Sequence, residues 1–246
     1  MGRGSNQLIA SILVNAIYAM QGYPTWIVNN LLSPISIIIL VTFISKGALI
    51  GEAIAGALIT LFVGTGIMLQ ADLAHLKNDF KYQDMIVSSP TSAMTYMVGM
   101  ALSNVIFIIP SLVVILVLAV IYIHASILAF VEVFMVLLLL YLFSVVLGFF
   151  LSTFTSDVMQ SWSFTGILSL LMTTIAPVYY PITYIPLPYR YAFYLSPTTY
   201  AAEIIQNMLG YLPLSTMALA LDWIVIIGLS IALFVVAIKK NKWREY

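Results

Sequence analysis

The chain has 246 residues, of which 63% are hydrophobic and only 7% charged, with nine basic side chains balanced by nine acidic ones. A water-soluble domain of this size needs far more polar surface, so a soluble globular fold is excluded. Zero formal net charge offers no basic footprint for nucleic acid, and the absence of cysteine excludes disulfides, thiolate metal sites and cysteine nucleophiles.

In residues 1–25, Leu8, Ile9, Ile12, Leu13, Ala16, Ile17 and Met20 recur at helical spacing. Asn6, Gln7, Ser11, Asn15 and Gln21 interrupt the apolar run, and no small-residue cleavage site follows, which argues against a signal peptide. The pattern predicts an amphipathic helix lying along a membrane surface.

A hydrocarbon core of about 30 Å needs roughly 20 helical residues. Six apolar segments meet that length: 26–45, 53–71, 97–123, 128–152, 161–178 and 221–238. The runs are continuous rather than alternating, so they are helices and not barrel strands. Together they predict an all-α membrane protein forming one transmembrane domain over 1–246. Its parts are an interfacial helix (1–25), spans 1–5 (26–178), an outer segment (179–220), span 6 (221–238) and a tail (239–246).

Pro34 is expected to kink the first span. Gly47 and Gly51, four apart, read as turn residues in preference to a close helix contact. Residues 72–96 hold Asp72, Lys77, Asp79, Lys81 and Asp84 together with His75, interleaved with Leu73, Leu76, Phe80 and Met85. Two readings are open: a short mixed-charge helix packed under the membrane, or a solvated loop. Ser89-Pro90 opens the next helix. Asn104 and Pro110 interrupt the long third span, which must tilt or kink.

Glu132 lies a turn or two inside the fourth span. It is either a functional carboxylate or one that reaches back to the interface. The stretch 178–221 carries Tyr179, Tyr180, Tyr184, Tyr189, Tyr191, Tyr194, Tyr200 and Tyr211, broken by Pro181, Pro186, Pro188, Pro197 and Pro213. It is too apolar for a free loop and too broken for a span. Short helices dipping into the outer leaflet satisfy both constraints, with Ser196-Pro197 starting one of them over 198–209.

Orientation follows from the basic residues. With the N-terminus inside, Arg3, Lys77, Lys81, Lys239, Lys240, Lys242 and Arg244 are cytoplasmic, and only Lys46 and Arg190 are outside. Both termini are therefore expected in the cytoplasm, with the protein multi-pass in the plasma (cytoplasmic) membrane. No GxxxxGK[ST] loop, HExxH motif or metal-ligand cluster occurs, so the chain itself is not expected to be an enzyme or to bind a metal or cofactor.

Two stretches carry a family resemblance. Residues 72–100 read DLAHLKNDFKYQDMIVSSPTSAMTYMVGM, a charged segment leading through Ile86 and Val87 into Ser89, Pro90, Ser92, Tyr96 and Gly99. Residues 181–203 read PITYIPLPYRYAFYLSPTTYAAE, with Pro181, Pro186, Ser196, Pro197, Thr199, Tyr200 and Glu203 at the matching places. With the six-span pattern, they resemble the membrane subunit of type-2 ABC exporters over nearly the whole chain.

The resemblance implies a cytoplasmic coupling helix between spans 2 and 3, docking a separate ATPase through His75, Lys77, Asp79, Phe80, Lys81 and Asp84. It also implies an outer re-entrant hairpin between spans 5 and 6. There Tyr180, Pro181, Pro186, Arg190, Pro197, Tyr200 and Glu203 would form a gate and substrate path. Implied partners are a cytoplasmic ABC ATPase holding ATP and Mg, a second permease copy or homologue, and membrane lipid. The implied activity is outward movement of a hydrophobic or amphipathic substrate such as a drug, lipid or lipid-linked glycan. The alternative is an ATP-independent transporter or channel using Glu132.

Overall fold

A computed structural model of the chain describes residues 3–22, 24–78, 93–155 and 157–240, and all regular structure in these residues is helical. Helix α1 (Arg3–Ile12) runs through a π-helical stretch, Leu13–Tyr18, into the short α2 (Ala19–Gly22). Then come α3 (Pro24–Ile44), α4 (Ile50–Asn78), α5 (Ala93–Tyr122), α6 (Ile127–Ser152) and α7 (Val158–Ser169), the last continued by a π-helical stretch, Leu170–Ile175. Two short helices, α8 (Leu187–Phe193) and α9 (Pro197–Met208), precede the terminal α10 (Thr216–Lys240). Among the described residues, six helical segments are long and apolar enough to cross a membrane: Ile27–Ile44, Ile50–Leu76, Thr95–Tyr122, Ile127–Ser152, Val158–Ile175 and Thr216–Lys239.

Local chemistry explains most boundaries. Ser126 caps α6 by accepting from the Ala129 N–H at 3.2 Å, and Asp157 caps α7 by accepting from the Gln160 N–H at 2.9 Å. The fifth span stops earlier than the hydropathy run suggested. Ala176, which precedes Pro177, swings to ψ 141, the extended conformation a following proline imposes. The second span runs further than expected and takes Asp72 and His75 into α4. The sixth starts earlier, which places Asp222 in its second turn instead of at its edge. Gly47, at φ +86, is the turn glycine the spacing suggested. Gly51 is not a turn residue but lies in the first turn of α4, where the Tyr211 side chain packs directly over it.

At the centre of the bundle stands α4, packed by α3, α5, α6, α7 and the short α9. Its seam with α6 depends on missing side chains. A Cβ on Gly66 would lie 2.5 Å from Ser144 Cβ, and one on Gly148 would lie 2.7 Å from the Gly66 carbonyl oxygen. Small residues let the helix backbones approach, which is how helices gain contact when lipid is as apolar as leucine. Phe62 and Tyr141 meet edge-on across this seam, 6.0 Å apart, and the Tyr141 hydroxyl donates to the Ala101 carbonyl of α5 at 2.6 Å. Asp72 of α4 is hydrogen-bonded to Asn104 of α5, which accounts for the polar break in the third span.

Helix α1 packs along α5 through Ser11, which lies over Gly99 and whose carbonyl accepts from the Ser103 hydroxyl at 3.2 Å. The expected apolar face is therefore split. Ala16 is buried, whereas Ile9 and Leu13 are exposed on the far side.

Candidate functional site

Among the described residues, the segment joining the fifth and sixth spans is tied down by several side-chain hydrogen bonds. It begins where the chain leaves the π-helical stretch and presses onto α4. The Tyr179 hydroxyl donates to Thr60 Oγ1 at 2.6 Å. A Cβ on Gly56 would lie 2.6 Å from the Val178 carbonyl oxygen, so the absence of a side chain there makes the seat. Burial pushes the Tyr179 phenol up to about 12, keeping it a neutral donor.

A single 3-10 turn, Ile182–Tyr184, leads to Pro186 and α8. Arg190 of α8 reaches back along its own loop, donating from Nε to the Ile185 carbonyl at 2.6 Å and from Nη2 to the Thr183 carbonyl at 2.7 Å. The turn into α9 is tied by Thr199 Oγ1 to the Phe193 carbonyl at 2.7 Å and by the Tyr200 hydroxyl to the Tyr194 carbonyl at 2.8 Å. Pro197 occupies the first turn of α9 behind Ser196, as the Ser-Pro pattern predicts. Gly210, at φ +80, ends the element, and Asn207 Nδ2 donates to the Leu212 carbonyl at 2.9 Å.

The two arms of this hairpin differ. None of the residues of α8 is buried; Leu187, Tyr189 and Tyr191 stand exposed, as does Leu195 beyond its end. Helix α9 is buried from Pro197 through Gln206 except at Tyr200, and it contacts α4, α6 and α10. Its carboxylate, Glu203, is 5% exposed and accepts from the Tyr194 hydroxyl at 2.9 Å on Oε1. Burial lifts Glu203 above the ordinary carboxylate range, while the Tyr194 hydrogen bond and the Arg190 charge pull it back. The neighbouring Tyr194 phenol is raised by burial and by the negative charge of Glu203. On the other side, Asp222 of α10 is 6% exposed, and its charge acts on Tyr194 and Tyr200.

Of the residues singled out in sequence, Arg190, Tyr200 and Glu203 converge at this corner, and Pro186 and Pro197 open its helices. Pro181 precedes the 3-10 turn, and Tyr180 lends its carbonyl to Gln206 Nε2 at 3.4 Å. Arg190 influences Glu203 electrostatically, but its hydrogen bonds go to main-chain carbonyls. His75 and the backbone of Lys77 belong to the last turns of α4. Asp79, Phe80, Lys81 and Asp84 lie outside the described residues. Glu132 is exposed on α6, away from the packed interior.

A family model for the ABC-2 type transporter membrane domain matches residues 7–209, well over half of the chain. The chain belongs to this family. Among curated proteins, none matches it. The permease is thus a multi-pass membrane protein and a transport component rather than an enzyme in its own right.

The sequence reading overlooked Asp222, although the test applied to Glu132 would have found it. Both are carboxylates inside an apolar run, and starting the sixth span at residue 221 made Asp222 look like an edge. It also overlooked Glu52, a buried carboxylate in the first turn of α4, where the helix N-terminus favours negative charge.

Arg190→Ala is expected to loosen the hairpin without unfolding the bundle. Charge-assisted hydrogen bonds contribute about 1.5–3 kcal/mol each, less where solvent reaches them. Hydrogen exchange should show faster amides over 183–190 and unchanged α4. Unchanged protection over 183–190 would contradict the role.

Proposed function

We propose that the chain is the permease subunit of an ATP-driven exporter, moving a hydrophobic or amphipathic substrate out of the cell. The single observation that carries the reading is the ABC-2 match spanning residues 7–209 in a chain that has no phosphate-binding loop of its own. Energy then has to enter from a partner that holds ATP and Mg.

Its entry point is the end of α4 and the charged segment that follows, with His75, Lys77, Asp79, Phe80, Lys81 and Asp84 as the docking residues. Mixed charge around an apolar anchor suits a partner groove. By the bias of basic residues that end is cytoplasmic, and the same bias assigns both termini to it. The hairpin lies at the opposite end and acts as the outer gate. The exposed aromatic ridge of α8 offers flat apolar faces with polar tips to an amphipathic cargo or to lipid.

A second copy or homologue completes the path. The fifth span is the least hydropathic of the six, and Ser163, Gly166 and Thr174 are exposed on it. Lipid is a poor neighbour for such a face, and a partner permease is a better one. The exposed position of Glu132 removes support from an ATP-independent route built on that residue.

The test is co-purification from native membranes in mild detergent, where a stoichiometric ATPase should accompany the wild-type chain. Phe80→Ala should reduce its recovery several-fold and lower stimulated ATP hydrolysis in parallel. A permease recovered alone, or an unchanged ratio in Phe80→Ala, counts against the exporter or against the docking residue respectively.

A further inference from the structure

One carboxylate stands on the outside of the bundle with nothing to neutralise it. Glu132 of α6 is exposed, and so are Leu128, Val131, Phe134 and Met135 around it. Among the described residues no hydrogen bond or ion pair reaches it. Consecutive spans alternate in direction, so the start of α6 lies at the same end of the bundle as the turn after α3 and the hairpin. The basic residues of that end are engaged elsewhere. Lys46 belongs to the turn after α3, a helix that packs on α4 and α5. Arg190 directs its donors to the Ile185 and Thr183 carbonyls. An unpaired charge on a lipid-facing helix surface is costly, so something outside the chain has to meet it.

Depth decides what that is. Helix α6 has 26 residues, about 39 Å at about 1.5 Å each, against a hydrocarbon core of about 30 Å. Centred in the core, it overhangs by about 4–5 Å at each end. Glu132 is in the second turn, about 7.5 Å along the axis from Ile127, so its backbone lies only about 3 Å below the edge of the core. Side chains lean toward the N-terminus of their helix, which here is the near membrane face. The carboxylate is therefore carried back to the level of the headgroups, while Val131, Phe134 and Met135 stay among acyl chains.

We propose that Glu132 anchors a phospholipid with a primary-amine headgroup, its carboxylate accepting hydrogen bonds from the ammonium and the exposed side chains below it lying along the acyl chains. Charge complementarity selects a cation, and the surroundings select its type. A quaternary ammonium has no N–H to donate and is held by cages of aromatic faces. One turn above and below Glu132 on α6 stand Leu128, Ala129, Met135 and Val136, none of them aromatic. A primary ammonium brings three donors and suits a bare carboxylate. The site depends on the chain spanning a membrane and stands whether or not an ATPase drives the permease.

Because the chain has no cysteine, a single introduced one can carry a reporter. The full chain bearing Met135→Cys, labelled with bimane, is placed in phosphatidylcholine vesicles containing an equal fraction of brominated-chain phosphatidylethanolamine or brominated-chain phosphatidylcholine. The ethanolamine lipid should quench the label about twofold more strongly. Adding Glu132→Gln, which keeps the shape and removes the charge, should make the two lipids quench equally. Ile39→Cys, at an exposed position on α3, should show no preference in either background. Equal quenching at position 135 of the otherwise unchanged chain, or a preference that survives Glu132→Gln, overturns the proposal. Protection from both lipids overturns it in favour of a second copy covering this face. Equal quenching that added cetyltrimethylammonium relieves overturns it in favour of a cationic amphipathic cargo.

Discussion

Gly148→Leu is expected to prevent recovery of folded permease. At Gly148 a Cβ alone would stand 2.7 Å from the Gly66 carbonyl oxygen and 3.3 Å from the Gln70 backbone nitrogen. Neither atom is the mobile end of a side chain, so α4 and α6 must separate or tilt. Two effects compete. Replacing a helical glycine gains up to about 1 kcal/mol of helix propensity. Overpacking a tight contact costs about 1–3 kcal/mol, and more when the obstacle is backbone. The clash wins, and it does so at the seam where the central helix packs most extensively.

Gly228→Leu is the control, because a Cβ there meets nothing within 4 Å. It should elute like the wild type in fluorescence-detected gel filtration, within about 0.5 kcal/mol in stability. Gly148→Leu should give no monodisperse peak. A normal peak with a normal melting midpoint would mean that the α4–α6 contact is looser than the geometry says.

The contrast between these glycines also explains what could be read in the sequence. Hydropathy located all six spans, because a stretch long enough to cross lipid declares itself by length and composition alone. It could not say which face of each helix is packed. In water the buried face is apolar and the outer face polar, but in lipid both faces are apolar and the signal is erased. Gly66 and Gly148 at the tightest seam look no different in sequence from Gly166 and Gly228, which face open space.

The same limit hid the role of Ser11, whose small side chain sets α1 against Gly99. The Ser196-Pro197 helix start was legible because a proline in the first turn is a local signal, settled within a few residues, although the Ser196 side chain makes no cap hydrogen bond. The corner around Tyr194 was only half legible. Glu203 stood out in a recognisable stretch, whereas Asp222, whose charge also acts on Tyr194, comes from another helix, 19 positions on. The Asp72–Asn104 bond has the same character. Each residue alone looked like an interruption of a span, and only their meeting across α4 and α5 makes them a pair.

Gly56→Val is expected to leave that bundle standing and yet to stop transport. Gly56 lies on α4 away from the α6 seam, under the point where the chain leaves the fifth span. A Cβ there would stand 2.6 Å from the Val178 carbonyl oxygen and 2.9 Å from Tyr179 Cα. A branched side chain lifts this loop off α4 and takes with it the Tyr179–Thr60 hydrogen bond. Overpacking by about 1–3 kcal/mol, together with a lost buried hydrogen bond of about 1 kcal/mol, exceeds the 1.4 kcal/mol that corresponds to a tenfold change.

For the ATP-driven exporter proposed above, transport should therefore drop by roughly tenfold or more. Hydrogen exchange should accelerate over 176–180 while the centre of α4 stays protected. Tyr179→Phe isolates the hydrogen bond from the clash and should give the same pattern at a fraction of the effect, about fivefold for 1 kcal/mol. If Gly56→Val moves substrate at the wild-type rate although the loop amides exchange faster, the seat on α4 is structural only and the hairpin is not the gate. If the amides do not change either, the loop does not bear on α4 at Gly56.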